Sequence, residues 1–242
     1  MTAPPRFLLW DFDGTLAYRP GQWTDTVMGI LRRAGFALDL DREAIRPFMN
    51  RGFPWHEPER VRLPGQSADD WWQALQPVLS RAFAHVPGID PDRAAQLAAE
   101  VRSTYLDHTA WIVFDDVRPT LEQLRRRGWR HVVLSNHVPE LPELMSRLGL
   151  LPLFDDVHTS ATMGVEKPNV KAFQHARSRL AADAVVWMIG DNPVADVAGA
   201  EAAGIPAILV RARTIVPGIE RCCASVADVI DIIESIPPAL TG

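Results

Sequence analysis

Three short apolar runs each stop abruptly at chemistry-bearing residues, and that pattern leaves the chain few folds to choose from. Phe7-Leu8-Leu9-Trp10 halts at Asp11-Phe12-Asp13-Gly14-Thr15, His131-Val132-Val133-Leu134 at Ser135-Asn136, and Val185-Val186-Trp187-Met188-Ile189 at Gly190-Asp191. Apolar runs of this length closed by turn residues read as buried strands. Around them the spacing turns helical: Pro119 to Arg127 ended by Gly128, Pro139 to Leu148 ended by Gly149, Asn169 to Leu180, and Pro193 to Ala203 ended by Gly204. Phe154 to His158 and Ala207 to Val210 read as further strands, and Val226 to Ile233 as a closing helix. Strand and helix in alternation predict an α/β fold, a parallel sheet wound with helices on both faces.

Residues 20 to 112 interrupt that rhythm and read as helical throughout. Val27, Ile30, Leu31 and Ala34 fall at i, i+3, i+4 and i+7, with Gly35 as a stop. Asp41 caps a second helix through about Met49, and Gly52-Phe53-Pro54-Trp55 with Glu57-Pro58 forms an irregular connector. Ser67 opens a helix carrying Trp71, Trp72, Leu75, Val78, Leu79 and Phe83, which Pro77 is expected to kink. Asp90-Pro91 starts another, with Ala95, Leu97, Ala98, Val101 and Tyr105 on its apolar side. The expected organisation is therefore an α/β core of residues 1–19 and 113–242, with an all-helical insertion at 20–112.

Composition excludes several classes. With 242 residues, 47% hydrophobic and 23% charged, the chain can bury a proper core as an ordinary soluble protein. A net charge of −5 gives no footing for nucleic acid or an anionic membrane surface. No apolar stretch is long enough to span a bilayer, and the N-terminus lacks the layout of a secretory signal. Cys222 and Cys223 are adjacent, a poor geometry for pairing, so a reducing, cytoplasmic setting is expected. The 25 basic residues include only two lysines, Lys167 and Lys171, which makes a lysine in a motif more telling than usual.

In an open α/β sheet, ligands bind beyond the carboxyl ends of the strands, and the three polar stops collect there. Asp11 and Asp13 share one face of an extended strand end and repel, which asks for a cation, a shared proton or both. Asp191 makes a third carboxylate, and a hard, oxygen-preferring ion such as magnesium suits the set. Asn192 is a good helix cap and Pro193 fits the first helical position, so Asp196 lies near the same site. Ser135 and Asn136 offer a hydroxyl, an amide and turn N–H groups to phosphoryl oxygens. Lys167, extended by Pro168, supplies a point charge suited to a phosphoryl group and a carboxylate together, while Lys171 reads as a solvated surface residue.

The ordered set Asp11-Phe12-Asp13-Gly14-Thr15, Ser135-Asn136, Lys167-Pro168 and Gly190-Asp191 with Asp196 resembles the haloacid dehalogenase superfamily of hydrolases, in its phosphatase branch. The resemblance implies a Rossmann-like core with a helical cap inserted after the first strand. It makes Asp11 the nucleophile that becomes an aspartyl phosphate, and Asp13 the group that protonates the leaving alcohol and then activates water. Gly14, Thr15, Ser135, Asn136 and Lys167 would hold the phosphoryl group. Magnesium would sit on Asp11, the backbone carbonyl of Asp13 and Asp191, with Asp196 supporting.

Asp13 argues against dehalogenation, because the dehalogenases lack that second aspartate. The absence of any lysine before Lys167 argues against the cap-lysine chemistry of phosphonate-cleaving members. The expected reaction is hydrolysis of a small phosphorylated metabolite. An intramolecular phosphosugar mutase on the same site and a non-catalytic binding protein of the same fold are the alternatives. Trp23, Arg51, Trp55, His56, Trp71 and Trp72 are the candidates for the substrate-facing surface of the cap, with core packing the competing reading for each tryptophan. The substrate and the choice between monomer and homodimer are not readable from the residues.

Overall fold

A computed structural model describes residues 3–36, 41–214 and 216–235. Seven strands are present among them: β1 Arg6–Trp10, β2 Ala17–Tyr18, β3 Ile112–Val113, β4 Trp129–Ser135, β5 Asp156–Thr159, β6 Val185–Gly190 and β7 Ala207–Leu209. Five form one sheet in the order β5-β4-β1-β6-β7, with every pairing parallel. The expected α/β architecture is present, and β1 lies at its centre.

Side-chain alternation along the strands assigns the two faces. Leu8, Trp10, Val133 and Ile189 point one way, onto Leu121 and Leu124 of helix Val117–Arg126 and Leu141 and Leu144 of helix Leu141–Arg147. Phe7, Leu9, Val132, Leu134, Val186 and Met188 point the other way, onto Ala172, Phe173 and Ala176 of helix Val170–Ser178. The first cluster runs on without a break through Phe12, Leu16 and Trp111 into the helical insertion, reaching Leu31, Leu79 and Leu97. One apolar core therefore holds the insertion to the sheet.

The insertion contains helices Gln22–Arg33, Arg42–Met49, Ala68–Ala84, Pro91–Ala99 and Val101–Tyr105. Their starts follow local chemistry. Asp41 accepts from the Glu43 amide, Ser67 from the Asp70 amide and Asp90 from the Arg93 amide, as N-caps do. Polar links cross back to the core. Glu140 accepts from Trp72 Nε1 at 3.0 Å and from Arg102 Nε at 2.8 Å. The irregular connector after Glu57 lies against the core, where Arg62 N donates to Gly164 O at 2.7 Å and Gly65 N to Thr162 O at 3.0 Å. Gly164 has φ +73°, and a Cβ there would meet the Arg62 carbonyl at 2.5 Å, so glycine is required on both counts.

Three local expectations are corrected. Ile112, read as the end of the helical stretch, belongs instead to β3, which pairs antiparallel with β2. Two-residue strands carry no periodicity; they pair because the chain leaves and re-enters the core at one place. Pro77 lies inside the single continuous helix Ala68–Ala84. The helix opened by Asp90-Pro91 divides at Glu100. The segment after Pro193 begins as a wide π-type turn, Pro193–Ala198, because Val197 N reaches back to Asn192 O, and only then becomes the helix Gly199–Ala202.

Candidate active site

Trp10 of β1 is in register with Val133 of β4 and Ile189 of β6, so the residues that follow all three strands emerge side by side. They line a cavity of about 480 Å³ together with Lys167 and Asp196. Its floor is charged, and its far wall is built by Trp23, Trp55 and Tyr105 of the insertion.

The floor is organised by Lys167. Its Nζ donates to Asp11 Oδ1 at 2.9 Å and to Asp196 Oδ1 at 2.6 Å, in a side chain only 1% exposed. Burial by itself would lower the ammonium, but the carboxylates of Asp11 and Asp196 outweigh it and hold its pKa above the ordinary value. Asn136 fixes the lysine loop from the other side: its Nδ2 donates to Lys167 O at 2.8 Å, and its Oδ1 accepts from Lys167 N at 2.7 Å. The Asn136 amide is thus committed to the loop backbone. The Lys167–Pro168 peptide bond is cis.

Three carboxylates, Asp11, Asp191 and Asp196, bring oxygens within 4.8 Å of one another. Asp196 is committed on both oxygens, to Lys167 and to the Asn192 amide at 3.0 Å, as a supporting residue would be. Asp191 receives a 3.3 Å bond from Thr15 Oγ1. Burial, then the neighbouring Asp11 charge, pushes Asp191 up to about 7, and burial pushes Asp196 up to about 6. A set of hard oxygen donors that crowded fits a divalent cation such as magnesium. Gly14 makes the approach possible: it has φ +85°, and a Cβ on it would collide with the Asp191 carboxylate.

Asp13 stands apart from this cluster. Its Oδ2 accepts from Gln22 Nε2 at 3.0 Å, while Oδ1 is buried with no protein partner. Burial, then the charge of Asp11, raises its pKa to about 7. Ser135 Oγ is likewise buried without a protein partner on the cavity floor, the state of a hydroxyl that binds a ligand oxygen.

The structure brings the core motifs together and divides the candidates from the insertion. Trp55 and Trp23 line the cavity. Trp72 does not, because its indole is tied to Glu140, and Trp71 and Arg51 are also absent from the lining. His56 faces a neighbouring cavity of about 660 Å³ beside Arg19 and Arg46. Residue type alone marks these candidates, and packing decides which of them reach the site.

Three contributors carried no sequence signal. His137 is 2% exposed in the cavity wall, edge-on to Phe12 at 5.4 Å, with both ring nitrogens unpartnered. Gln22 holds Asp13. Arg211 binds Asp116 through two 2.8 Å contacts and donates to Thr15 O at 2.9 Å, fixing the turn after β1.

Comparison with known proteins places this geometry. A family model described as haloacid dehalogenase-like hydrolase matches residues 5–204. Human haloacid dehalogenase-like hydrolase domain-containing protein 3 is 30% identical over 178 residues, covering 73% of this chain and 69% of its own. A phosphoserine phosphatase of Thermus thermophilus is 30% identical over 230 residues, covering 85% of this chain and 88% of its own. The HAD-hydrolase YfnB of Bacillus subtilis, solved bound to magnesium, superposes with a TM-score of 0.74 at 19% identity, over 96% of this chain and 100% of that one. The chain belongs to the haloacid dehalogenase-like hydrolases. It is an enzyme of the phosphatase branch, with the helical insertion after its first strand.

Proposed function

We propose that the protein is a magnesium-dependent phosphatase that hydrolyses a small phosphomonoester through an aspartyl phosphate on Asp11. The observation that carries this is the convergence of Lys167, Asp11, Asp13 and Ser135 on one cavity, with Lys167 bonded to the nucleophile.

Lys167 holds the Asp11 carboxylate in place, and its charge together with Ser135 Oγ and the turn amides binds the phosphoryl oxygens. Asp11 attacks phosphorus while the bond to the alcohol oxygen breaks, and Asp13 gives its proton to that oxygen. Asp13, now a carboxylate, takes a proton from water as the water oxygen attacks the aspartyl phosphate. The phosphorus–Asp11 bond breaks, which frees inorganic phosphate and restores both aspartates. Asp11, the Asp13 carbonyl and Asp191 are the groups that would hold magnesium, which when bound supplies positive charge against the phosphoryl oxygens.

Residues 20–112 act as the cap of a core made by residues 1–19 and 113–242, and Trp23, Trp55 and Tyr105 form the wall against the leaving group. A cavity of this size suits a metabolite, not a polymer. The two unpaired thiols, Cys222 and Cys223, support a cytoplasmic setting. No helix among the described residues is long and apolar enough to cross a membrane.

The test is release of inorganic phosphate from a panel of phosphorylated sugars, nucleotides and organic acids in the presence of magnesium. Turnover of some member is expected, with Asp11→Asn inactive and unchanged in circular dichroism. No release from any member, or a fully active Asp11→Asn enzyme, overturns the reading.

A further inference from the structure

Gln22 is the first residue of the first insertion helix, and its backbone is in the left-handed region at φ +45°. Only one other non-glycine described residue, Arg211, shares that condition. Side chains other than glycine, asparagine and aspartate seldom adopt it, so the surroundings must impose it. Gly21, also left-handed at φ +64°, precedes it, and Gln22 N is bonded to Arg19 O at 3.1 Å, which closes a tight turn. The turn has one evident consequence. It places the Gln22 amide 3.0 Å from Asp13 Oδ2, and Gln22 makes no other side-chain hydrogen bond among the described residues.

The next residue, Trp23, is stacked on Tyr105 with ring centroids 4.1 Å apart and lines the cavity. Gln22 lines that cavity too, and it also lines the neighbouring one. A single turn of the insertion therefore carries both a wall of the leaving-group site and the hydrogen-bond partner of Asp13.

We infer that Gln22 is a positioning residue for proton transfer: its amide holds the Asp13 carboxyl so that the proton is delivered to the departing alcohol oxygen. The inference rests on the phosphatase reading and adds a residue from outside the four core motifs. An amide N–H donates to a lone pair, so its bond to Oδ2 favours the proton on Oδ1, the oxygen with no protein partner. In the first step the phosphorus–oxygen bond to the alcohol breaks, the proton leaves Asp13 for that oxygen, and the alcohol departs neutral. Gln22 exchanges no atom. It reduces the orientations of the carboxyl to the productive one. The same bond couples the insertion to the chemistry, because displacement of the first insertion helix removes the constraint on the acid.

Leaving-group dependence separates this role from a structural one. An alkyl phosphate needs its leaving oxygen protonated, whereas an activated aryl phosphate departs readily without help. The variants are Gln22→Gly, which suits the left-handed backbone and so preserves the turn, and Gln22→Met, which keeps the length without the donor. Both are expected to lose about tenfold or more in kcat/KM on an alkyl phosphate, a fraction of what a general acid contributes. On the activated aryl phosphate kcat/KM should stay within about twofold, because that constant covers only the steps up to departure of the alcohol, before Asp13 activates water. Equal losses on the two substrates, or no loss on either, overturn the role of Gln22 while leaving the phosphatase reading intact. A wild-type enzyme that cleaves neither phosphate overturns that reading and this inference with it.

Discussion

Lys167 Nζ lies 2.9 Å from Asp11 Oδ1, although 156 positions separate the two residues in the chain. A fully buried lysine is costly unless carboxylates surround it, and the same ion pair that lets the fold bury the ammonium also orients Asp11, the carboxylate proposed as nucleophile. On the proposed mechanism, stability and catalysis share these atoms. Removing the cation should damage both.

Lys167→Met leaves Asp11 and Asp196 facing each other across a buried space. Breaking a buried pair of this kind costs about 3–5 kcal/mol. For a chain of this size that lowers Tm by roughly 10 °C. Activity should fall at least about a thousandfold, since the nucleophile loses its partner and the phosphoryl group its charge. Thermal melts and phosphate release measure the two effects. A variant as stable and as active as the parent would remove Lys167 from the site.

Magnesium should stabilise the protein through the crowded carboxylates. At a hundredfold excess over Kd the gain is about 2.7 kcal/mol, seen as a rise in Tm of several degrees. Asp191→Asn should lose most of that rise, and without metal it should be at least as stable as the parent because one repulsive charge is gone. An identical metal-dependent rise in the variant excludes Asp191 as a ligand.

His131 gives a pH dependence outside the site. Trp10 Nε1 donates to its Nδ1 at 3.1 Å, and its Nε2 lies 3.0 Å from Leu121 O, so the ring is held neutral as the Nε2–H form. Burial lowers its pKa to about 4. The folded state refuses a proton that the unfolded chain accepts below about 6.5. Its contribution is therefore complete above that pH and is lost as pH falls toward 4. Between pH 7 and pH 5 the loss amounts to about 2 kcal/mol. In urea unfolding at the two pH values, His131→Gln should be less pH-sensitive by that amount. An unchanged pH slope refutes the assignment.

His137 presents two unpartnered ring nitrogens in the cavity wall, and a substrate hydroxyl is the natural partner for one of them. His137→Phe keeps the aromatic packing against Phe12 and Trp111 and deletes the hydrogen bond. KM for the best substrate is expected to rise several-fold to about tenfold, with kcat changed much less. Steady-state kinetics decide it. A KM equal to that of the parent assigns His137 to packing alone.

The parallel sheet was legible because fully buried strands are continuous apolar runs and the helices between them keep a 3.6-residue period. The site was legible where its residues end those runs: Asp11, Asp13, Ser135 and Asp191 all stand at strand ends. Asn136 was found, but its employment differs, since two hydrogen bonds to the Lys167 backbone commit its amide to shaping the loop. The cap was legible as helix and opaque as a surface. Trp55 and Trp72 have the same chemistry in sequence, and only packing puts one against the cavity and ties the other to Glu140.

What the sequence determined by itself is the class of chemistry, because the spacing of two aspartates at a strand end and the polar stops of two further strands are local facts that survive in one dimension. What only tertiary structure decided is which partner each group has. That Lys167 answers Asp11 and Asp196, that Gln22 rather than a core residue holds Asp13, and that His137 is left unpaired all depend on distances between segments remote in the chain. Hydrogen bonds and ion pairs act over about 3 Å, and no pattern of residue types fixes a separation that small until the sheet and the insertion have packed.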